Sequence, residues 1–240
     1  MISEAAIWHD LECGSYTADL DCWRDLAAQF DGPILDIGAG TGRISLMLAR
    51  EGKAVTALDV DDSLLEALRG RTGELPIDTV CADACDFELG RHFSLIIVPM
   101  LTVQLFGGTD ARARFFSCAR DHLEPGGCVE LAIADLLDDE DGAAGGESPQ
   151  DDTCTVDGIG YSTRAVALNE RPGQIGIERR REIVGPRGAS AVKAATDWID
   201  TLDEEILEAE GRAAGLTVAE RRFIPATDEY IGSAVVCLNG

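Results

Sequence analysis

Five short apolar runs recur between residues 34 and 134, and this repetition limits the possible folds more than any other feature of the chain. The runs are ILDIG at 34–38, AVTALDV at 54–60, IDTVCA at 77–82, SLIIVP at 94–99 and CVELAIA at 128–134. The stretches 42–50, 62–70 and 110–123 predict helices between them. Strands that are apolar along most of their length are typical of a parallel sheet covered by helices on both faces. The sequence therefore predicts an α/β fold.

The residues on either side of this block predict further regions. Upstream, SEAAIWHD and DLDCWRDLAAQF read as helices, so residues 1–33 are expected to form a helical cover. Downstream, LLDDEDGAAGGESPQDD is acidic and glycine-rich, which is typical of an irregular loop. Three strand-like runs separated by RPG and GPRG follow it, so residues 136–200 are predicted to form this loop and an inserted antiparallel lid. Residues 34–135 and 201–240 are expected to form the main domain, which would end in two strands over LTVAERRFIP and YIGSAVVCLN.

The chain is strongly acidic, with a formal net charge of -24 over 240 residues. Because binding to nucleic acids depends on cationic contacts with phosphate, DNA and RNA are predicted to be poor substrates. No apolar stretch approaches the roughly 20 residues that a membrane-spanning helix needs, and the N-terminus has no signal core. These features predict a cytoplasmic protein that does not bind membranes. The eight cysteines form no C-x-x-C motif or Cys/His cluster, so no disulfide framework and no metal site are predicted.

Three glycines follow the first predicted strand in the stretch DIGAGTGR. Gly38, Gly40 and Gly42 leave bare backbone at the start of a helix, where N–H groups can meet an anionic ligand. This signal is weak by itself, because dinucleotide-binding proteins carry a similar G-x-G-x-x-G/A pattern. The third small position of that pattern is Arg43 here, which makes a nicotinamide cofactor less favoured.

Two acids stand at the ends of the next two predicted strands. Asp59 closes the second strand, where a carboxylate can accept hydrogen bonds from both hydroxyls of a ribose. Asp83 closes the third strand and could accept from an adenine amino group, while Ala84 offers its backbone N–H. The three strand ends together predict a site for an adenine nucleoside.

These pieces, together with FSLIIVPMLTVQLF at 93–106 and HLEPGGCVELAIA at 122–134, resemble the class I S-adenosylmethionine-dependent methyltransferases. The resemblance implies a Rossmann-like seven-stranded sheet whose last strand, at 231–238, is antiparallel. It implies S-adenosylmethionine as cofactor and S-adenosylhomocysteine as product. The implied cofactor contacts are Gly38, Ala39 and Gly40 at the methionyl part, Asp59 at the ribose, Asp83 and Ala84 at the adenine, Pro99 and Met100 at the edge of the methyl-transfer site, and Tyr16 as a cover, with Val60 as a further cofactor contact.

The nature of the acceptor is narrowed by motifs that the sequence lacks. The loop after the fourth strand reads VPML, without the D/N/S-P-P-Y/F turn of enzymes that methylate base amines and without the paired glutamates of protein-arginine methyltransferases. The layout of the lid resembles insertions in small-molecule N-methyltransferases, including those acting on amino sugars. We therefore expect a small-molecule N or O acceptor, as in secondary metabolism, or a peptide end. Substrate-facing candidates are Gln104, Tyr161, Arg164 and Trp198.

His9 is the candidate general base, although positioning by itself can drive methyl transfer to a neutral amine. His92 and His122 are expected on the surface, away from the ligand. Two other functions stay open, a nicotinamide-dependent oxidoreductase and a non-catalytic protein that binds S-adenosylmethionine. The lid could serve as a pocket wall or a dimer contact, so a monomer and a homodimer are both compatible with the sequence.

Overall fold

A computed structural model describes residues 2–134, 151–227 and 231–240 of the chain. Most of the predicted acidic loop therefore lies outside the described residues, as does the start of the run at YIGSAVVCLN. The chain folds around one large sheet, to which a separate four-stranded sheet is added.

The large sheet has five parallel strands, β1 (Ile34–Ile37), β2 (Val55–Asp59), β3 (Ile77–Cys81), β4 (Phe93–Val98) and β5 (Leu123–Ile133). Their spatial order is β3-β2-β1-β4-β5, and β12 (Ser233–Asn239) pairs antiparallel with β5. The order reverses between β1 and β4, which makes the carboxyl ends of these strands the place where ligands bind in open wound sheets. The predicted Rossmann-like class with an antiparallel last strand is confirmed.

The far edge of the sheet differs from the prediction in one detail. The run LTVAERRFIP forms two short strands, β10 (Thr217–Val218) and β11 (Arg222–Ile224), and both pair with β12, so the sheet has eight strands. Val218 pairs with Leu238 and Arg222 with Val235, so the outer chain advances four residues while β12 advances three. Residues 219–221 lie outside both strands, so the pairing with β12 is interrupted there.

The described residues also form six α-helices and one short 3-10 helix, of which the first two α-helices precede β1. They are α1 (Glu4–Cys13), α2 (Leu20–Ala27), α3 (Arg43–Arg50), α4 (Asp62–Thr72), the 3-10 helix (Thr102–Leu105), α5 (Thr109–Asp121) and α6 (Glu204–Ala213). No helix among the described residues is both long and apolar enough to cross a bilayer.

Apolar side chains fill both faces of the large sheet. In β4, Ile96 and Val98 pack on one face with Phe115 of α5, whereas Leu95 and Ile97 pack on the other face. Trp23 of α2 is fully buried against that second face. Burial on both faces explains why β1, β2 and β4 are apolar along most of their length, whereas the edge strand β3 is only partly buried.

The second sheet, called the lid below, contains β6 (Asp152–Val156), β7 (Ile159–Arg171), β8 (Gln174–Val184) and β9 (Ser190–Asp200) in that spatial order. All neighbouring strands are antiparallel. The first of the three predicted runs contains two of these strands, because the chain turns back at Asp157 and Gly158. Both residues have positive φ angles, +51° and +78°, as the central positions of a type I′ hairpin require.

Candidate active site

The glycine turn between β1 and α3 is fixed by the end of β2. The N–H groups of Gly38 and Ala39 both donate to the carbonyl oxygen of Leu58, over 2.8 and 3.0 Å. The N–H group of Gly40 donates to Oδ2 of Asp59 over 2.8 Å. These three amides therefore hold the turn in place through hydrogen bonds to the end of β2.

Two of the glycines are required because other side chains occupy the space beside them. Gly38 and Gly40 have φ angles of +69° and +54°. A Cβ atom on Gly38 would lie 2.4 Å from the methyl group of Thr102, and one on Gly40 would lie 2.2 Å from Nε2 of His9. The turn is thus enclosed by the 3-10 helix on one side and by α1 on the other.

Asp59 joins the glycine turn to the start of α4. Its Oδ1 atom accepts from the N–H group of Asp61 over 2.9 Å, and the residue is only 8% exposed. An ionised carboxylate has about four lone-pair sites, so two remain for ligand hydroxyls. The neighbouring Val60 is an apolar side chain that is 73% exposed, at the same edge of the sheet.

The ends of β3 and β4 complete this edge. Asp83 is exposed, and its Oδ1 atom accepts from the N–H group of Cys85 over 2.8 Å. Ala84 packs partly buried against the core, and Pro99 is buried. Met100 has a φ angle of +56°, a conformation that costs energy for a residue with a side chain and that recurs at functional sites. The structure thus brings the predicted cofactor residues from four strands to one edge.

His9 lies over the glycine turn. Its Nδ1 atom is 3.2 Å from Oγ1 of Thr41, and that hydroxyl donates to Oδ1 of Asp10 over 2.6 Å. Because the hydroxyl proton of Thr41 is used, the His9 Nδ1–H is the donor and Nε2 carries the lone pair. Burial lowers the pKa of His9, although the charge of Asp59 opposes this effect. The imidazole is therefore neutral near pH 7 and lies beside the predicted cofactor residues.

Tyr16 and Arg43 pack together behind the turn. Tyr16 is 5% exposed, and the guanidinium of Arg43 lies 5.3 Å from the centre of its ring. Arg43 donates two hydrogen bonds of 2.6 Å to the carboxylate of Asp19. The long side chain thus points toward the connection between α1 and α2, which explains how an arginine fits where dinucleotide-binding turns need a small residue.

Helix α1 is held against the lid by a cluster of charged groups. The carboxylate of Glu12 accepts two hydrogen bonds of 2.7 Å from Arg181 and one of 2.9 Å from Oγ1 of Thr163. The ring of Trp8 meets that of Tyr161 edge-on, with centroids 5.3 Å apart. Tyr161 therefore lies on the lid face that contacts α1.

The other two lid candidates lie on the opposite face. Strand register pairs Arg164 with Arg180 and Trp198 with Gly176. Because successive side chains of a strand point to opposite faces, both pairs lie on the face opposite to that of Tyr161 and Arg181. Arg164 is near Asp151, with 3.6 Å between Nε and Oδ1, and the guanidinium of Arg171 stacks 3.9 Å from the Trp198 ring centre. The structure does not bring these two residues together with Tyr161, so the three predicted substrate-facing residues of the lid do not share one face.

Two further predictions are corrected by burial. Gln104 is 2% exposed, and its carboxamide bonds to the backbone of Ala134 and Asp200, so it anchors the lid instead of facing substrate. His122 is 3% exposed, donates from Nδ1 to the carbonyl of Cys118 and accepts at Nε2 from the N–H of Leu89. His92 is exposed, as expected.

Sequence reasoning missed Thr102 and Glu12. Thr102 stands two residues after Met100, in a loop that the resemblance already marked, so its place beside Gly38 was within reach of the sequence. Glu12 contacts Arg181 across 169 residues of chain, and no local pattern signals such a pair. Among the described residues, no group of His, Cys, Asp and Glu is arranged to hold a metal ion.

Comparison with known proteins gives one family and several related chains. Residues 34–127 match the family model described as a methyltransferase domain. The tRNA1(Val) (adenine(37)-N6)-methyltransferase of Phocaeicola vulgatus is 33% identical over 99 residues, which are 38% of our chain and 42% of the relative. The dTDP-3-amino-3,4,6-trideoxy-alpha-D-glucopyranose N,N-dimethyltransferase of Streptomyces venezuelae is 28% identical over 96 residues, 40% of each chain. Our chain thus spans less than half the length of these curated relatives.

Similarity of fold to known proteins extends over more of the chain than similarity of sequence does. The crystal structure of DesVI from Streptomyces venezuelae superposes with a TM-score of 0.74 and covers 98% of both chains, at 20% sequence identity. The likeness therefore extends over the lid and the N-terminal helices as well as the matched domain.

Proposed function

We propose that this chain, whose residues 34–127 match the family model described as a methyltransferase domain, transfers a methyl group from S-adenosylmethionine to an amine of a small molecule. The observation that carries this proposal is the carboxyl edge of the sheet. There, a glycine turn, Asp59 and Asp83 follow one another at the ends of β1, β2 and β3. A family match at the same residues favours methyl transfer over hydride transfer to a nicotinamide.

The residues at this edge fit the cofactor. We assign Gly38, Ala39 and Gly40 to the methionyl part, and Asp59, which keeps lone pairs beyond its two backbone bonds, to the ribose hydroxyls. The exposed side chain of Val60 offers apolar surface to the nucleoside. We assign Asp83 and Ala84 to the adenine, with Pro99 and Met100 beside the methyl-transfer site. When bound, S-adenosylmethionine would supply a methyl group that its sulfonium already makes electrophilic.

The remaining regions are assigned to covering the site. We assign residues 1–33 as a helical cover, with Tyr16 packed against its inner side, and residues 34–135 and 201–240 as the domain that binds the cofactor. Of the region predicted at residues 136–200, we assign the described lid, residues 152–200, to shielding the acceptor, with Tyr161 on the face toward α1. Enclosure helps because methyl transfer depends mainly on aligning two reactants and excluding water, and alignment can contribute up to about 7 to 11 kcal/mol.

An amine acceptor is favoured by the acid–base groups near the turn. A neutral amine attacks with its own lone pair, so it needs no strong base before the transfer. His9 is neutral, and its Nε2 lone pair faces Gly40, so we assign it to packing against the cofactor turn. The Streptomyces venezuelae relative is named as an enzyme that methylates an amino sugar nucleotide, which supports an amine on a sugar-like molecule.

The tRNA methyltransferase among the relatives raises the opposite possibility of a nucleic-acid substrate. The net charge of -24 opposes it, since an RNA backbone would meet an unfavourable field over most approaches. We therefore propose a small acceptor.

Calorimetry followed by a methyl-transfer screen tests this function. The full chain is titrated with S-adenosylmethionine and S-adenosylhomocysteine, then incubated with S-adenosylmethionine and a panel of amino sugars, other amines, alcohols and carboxylates. We expect both compounds to bind, and mass spectrometry to detect a methylated amine. Absence of binding refutes the proposal, and binding without any transfer across the panel indicates a non-catalytic binding protein.

A further inference from the structure

Gln104 bonds to both chain segments that connect the lid to the large sheet. Its Nε2 atom donates to the carbonyl oxygens of Ala134 and Asp200, over 3.2 and 3.0 Å. Its Oε1 atom accepts from the N–H group of Ala134 over 3.1 Å. Ala134 follows the last residue of β5, and Asp200 is the last residue of β9. One buried carboxamide thus bridges the point where the chain leaves the large sheet and the point where it returns from the lid.

The return point is fixed a second time through its side chain. The carboxylate of Asp200 accepts from the N–H group of Gly108 and from Arg112 over 2.6 Å each, and from Gln174 of β8 over 2.8 Å. Arg112 in turn donates two hydrogen bonds to Glu210 of α6, over 2.7 and 2.8 Å. The base of the lid is therefore attached firmly to α5 and α6, and rigid elements of this kind can transmit a displacement.

The same short segment touches the glycine turn at its other end. Thr102 begins the 3-10 helix that contains Gln104, and its methyl group fills the space beside Gly38. Met100, just before it, has a strained backbone. A ligand pressing on the glycine turn would meet Thr102, and a movement of Thr102 would carry Gln104 and both connections of the lid with it.

We propose that Gln104 is a positioning residue that couples occupancy of the cofactor site to the position of the lid. This inference rests on the proposed function, because it requires a cofactor at the glycine turn. A filled turn would hold the 3-10 helix in one place, and Gln104 would then hold the lid over the acceptor. Such coupling is reciprocal, so fixing the lid also favours cofactor binding by the same factor.

Hydrogen exchange of the full chain, measured with and without S-adenosylhomocysteine, tests the coupling. In the wild-type protein we expect the ligand to slow exchange at the glycine turn and also, by about fivefold, in β8 and β9, where no cofactor contact is assigned. Gln104→Met keeps the length of the side chain and removes all three hydrogen bonds. We expect it to keep ligand protection at the turn and to lose it in the lid.

The design separates positioning from a purely structural role. If Gln104 only stabilised the lid, the variant would exchange faster there with and without ligand, and the ligand-dependent difference would persist. Gln104→Glu, which keeps the acceptor and loses the donor, serves as a second variant if Gln104→Met unfolds. Gln29→Met, at an exposed glutamine on the loop after α2, is the matched control and should behave like wild type.

Two results would overturn the inference while the proposed function stands. In one, S-adenosylhomocysteine binds and protects the turn of the wild-type protein, yet exchange in β8 and β9 does not change. In the other, the lid protection persists in Gln104→Met. If calorimetry detects no binding of S-adenosylhomocysteine to the wild-type chain, the proposed function itself fails, and this inference fails with it.

Discussion

The carboxyl edge of the large sheet and the lid are stabilised in different ways. At the edge, the glycine turn is held by backbone N–H groups that donate to Leu58 and Asp59, about twenty residues further along the chain. At the lid, charged side chains bridge elements that are far apart in sequence, such as Glu12 to Arg181 and Arg112 to Asp200. The first region depends on backbone conformation, and the second depends on which side chains meet.

This difference has a functional consequence. The turn depends on glycines at positive φ angles, where any other residue is strained, whereas the lid is attached through pairs of side chains that can change one at a time. The cofactor half of the site is thus expected to tolerate few substitutions, and the acceptor half to tolerate many.

Gly40→Ala should have the largest effect, because it disturbs the turn in two ways at once. An alanine at a φ of +54° is strained, and its Cβ would lie 2.2 Å from Nε2 of His9. Strain and overpacking together should cost about 4 kcal/mol. The cost is measured as a decrease in the free energy of unfolding or in the binding free energy of S-adenosylhomocysteine.

Gly52→Ala is the matched control, since its φ is +88° but no atom lies within 4 Å of the added Cβ. This variant should lose only about 1 to 2 kcal/mol of stability and keep its affinity. Adding His9→Ala to Gly40→Ala should recover part of the loss. Equal losses in the two single variants would show that the contact with His9 is unimportant.

The sequence predicted the cofactor edge well because the edge is built from short-range patterns. Glycines after an apolar strand, and acids that close the next two strands, mark positions at one end of a parallel sheet without knowledge of tertiary contacts. The hairpin at Asp157 and Gly158 was equally readable, since an Asp-Gly pair favours the turn observed there. It was missed because the surrounding run was taken as one strand.

The sequence could not predict how the lid is attached. The position of Gln104 after the fourth strand predicts a substrate contact, but its hydrogen-bond partners lie 30 and 96 residues away. The position of His122 at the end of a helix predicts a surface residue. It is buried instead, and its ring is satisfied by the N–H group of Leu89 and the carbonyl oxygen of Cys118. Such pairings follow from packing of distant elements, which periodicity does not encode.

A pH dependence of stability should arise at the cofactor edge from Asp36. This carboxyl group in β1 accepts from Ser45 at Oδ2, while Oδ1 is buried without a partner among the described residues. Burial raises the pKa of Asp36 from 3.8 to about 7. The unfolded chain thus releases this proton at lower pH than the folded chain, so the free energy of unfolding should fall as pH rises from about 4 to 7.

Asp36→Asn cannot ionise and should remove this contribution, which is on the order of 3 kcal/mol. Denaturant unfolding of both proteins at pH 5, 6, 7 and 8 measures it. The free energy of unfolding of the wild-type protein should fall relative to that of the variant over the lower part of this pH range. At higher pH the difference between the two proteins should stay constant. Parallel curves throughout would mean that Asp36 ionises normally in the folded protein.

Asp59→Ala should weaken cofactor binding by about 1 to 3 kcal/mol, because ligand hydroxyls would lose a buried acceptor and the Gly40 N–H would lose its partner. Titration with S-adenosylhomocysteine measures the change. Asp62→Ala, at a half-exposed acid on the next helix, should bind as wild type does. If a folded Asp59→Ala protein binds with unchanged affinity, the ribose assignment is wrong.

Glu12→Ala should have the smallest effect of the four, and that effect should fall on stability alone. The change leaves Arg181 and Thr163 without their shared acceptor at a side chain that is 8% exposed, so we expect a loss of about 1 to 2 kcal/mol in the free energy of unfolding. Glu182→Ala removes a more exposed ion pair, with Arg180 on the other lid face, and should cost less than about 0.5 kcal/mol. Affinity for S-adenosylhomocysteine should change less than threefold in both variants. A larger loss of affinity in Glu12→Ala would show that α1 and His9 form a second connection between the lid and the glycine turn, beside the one proposed through Gln104.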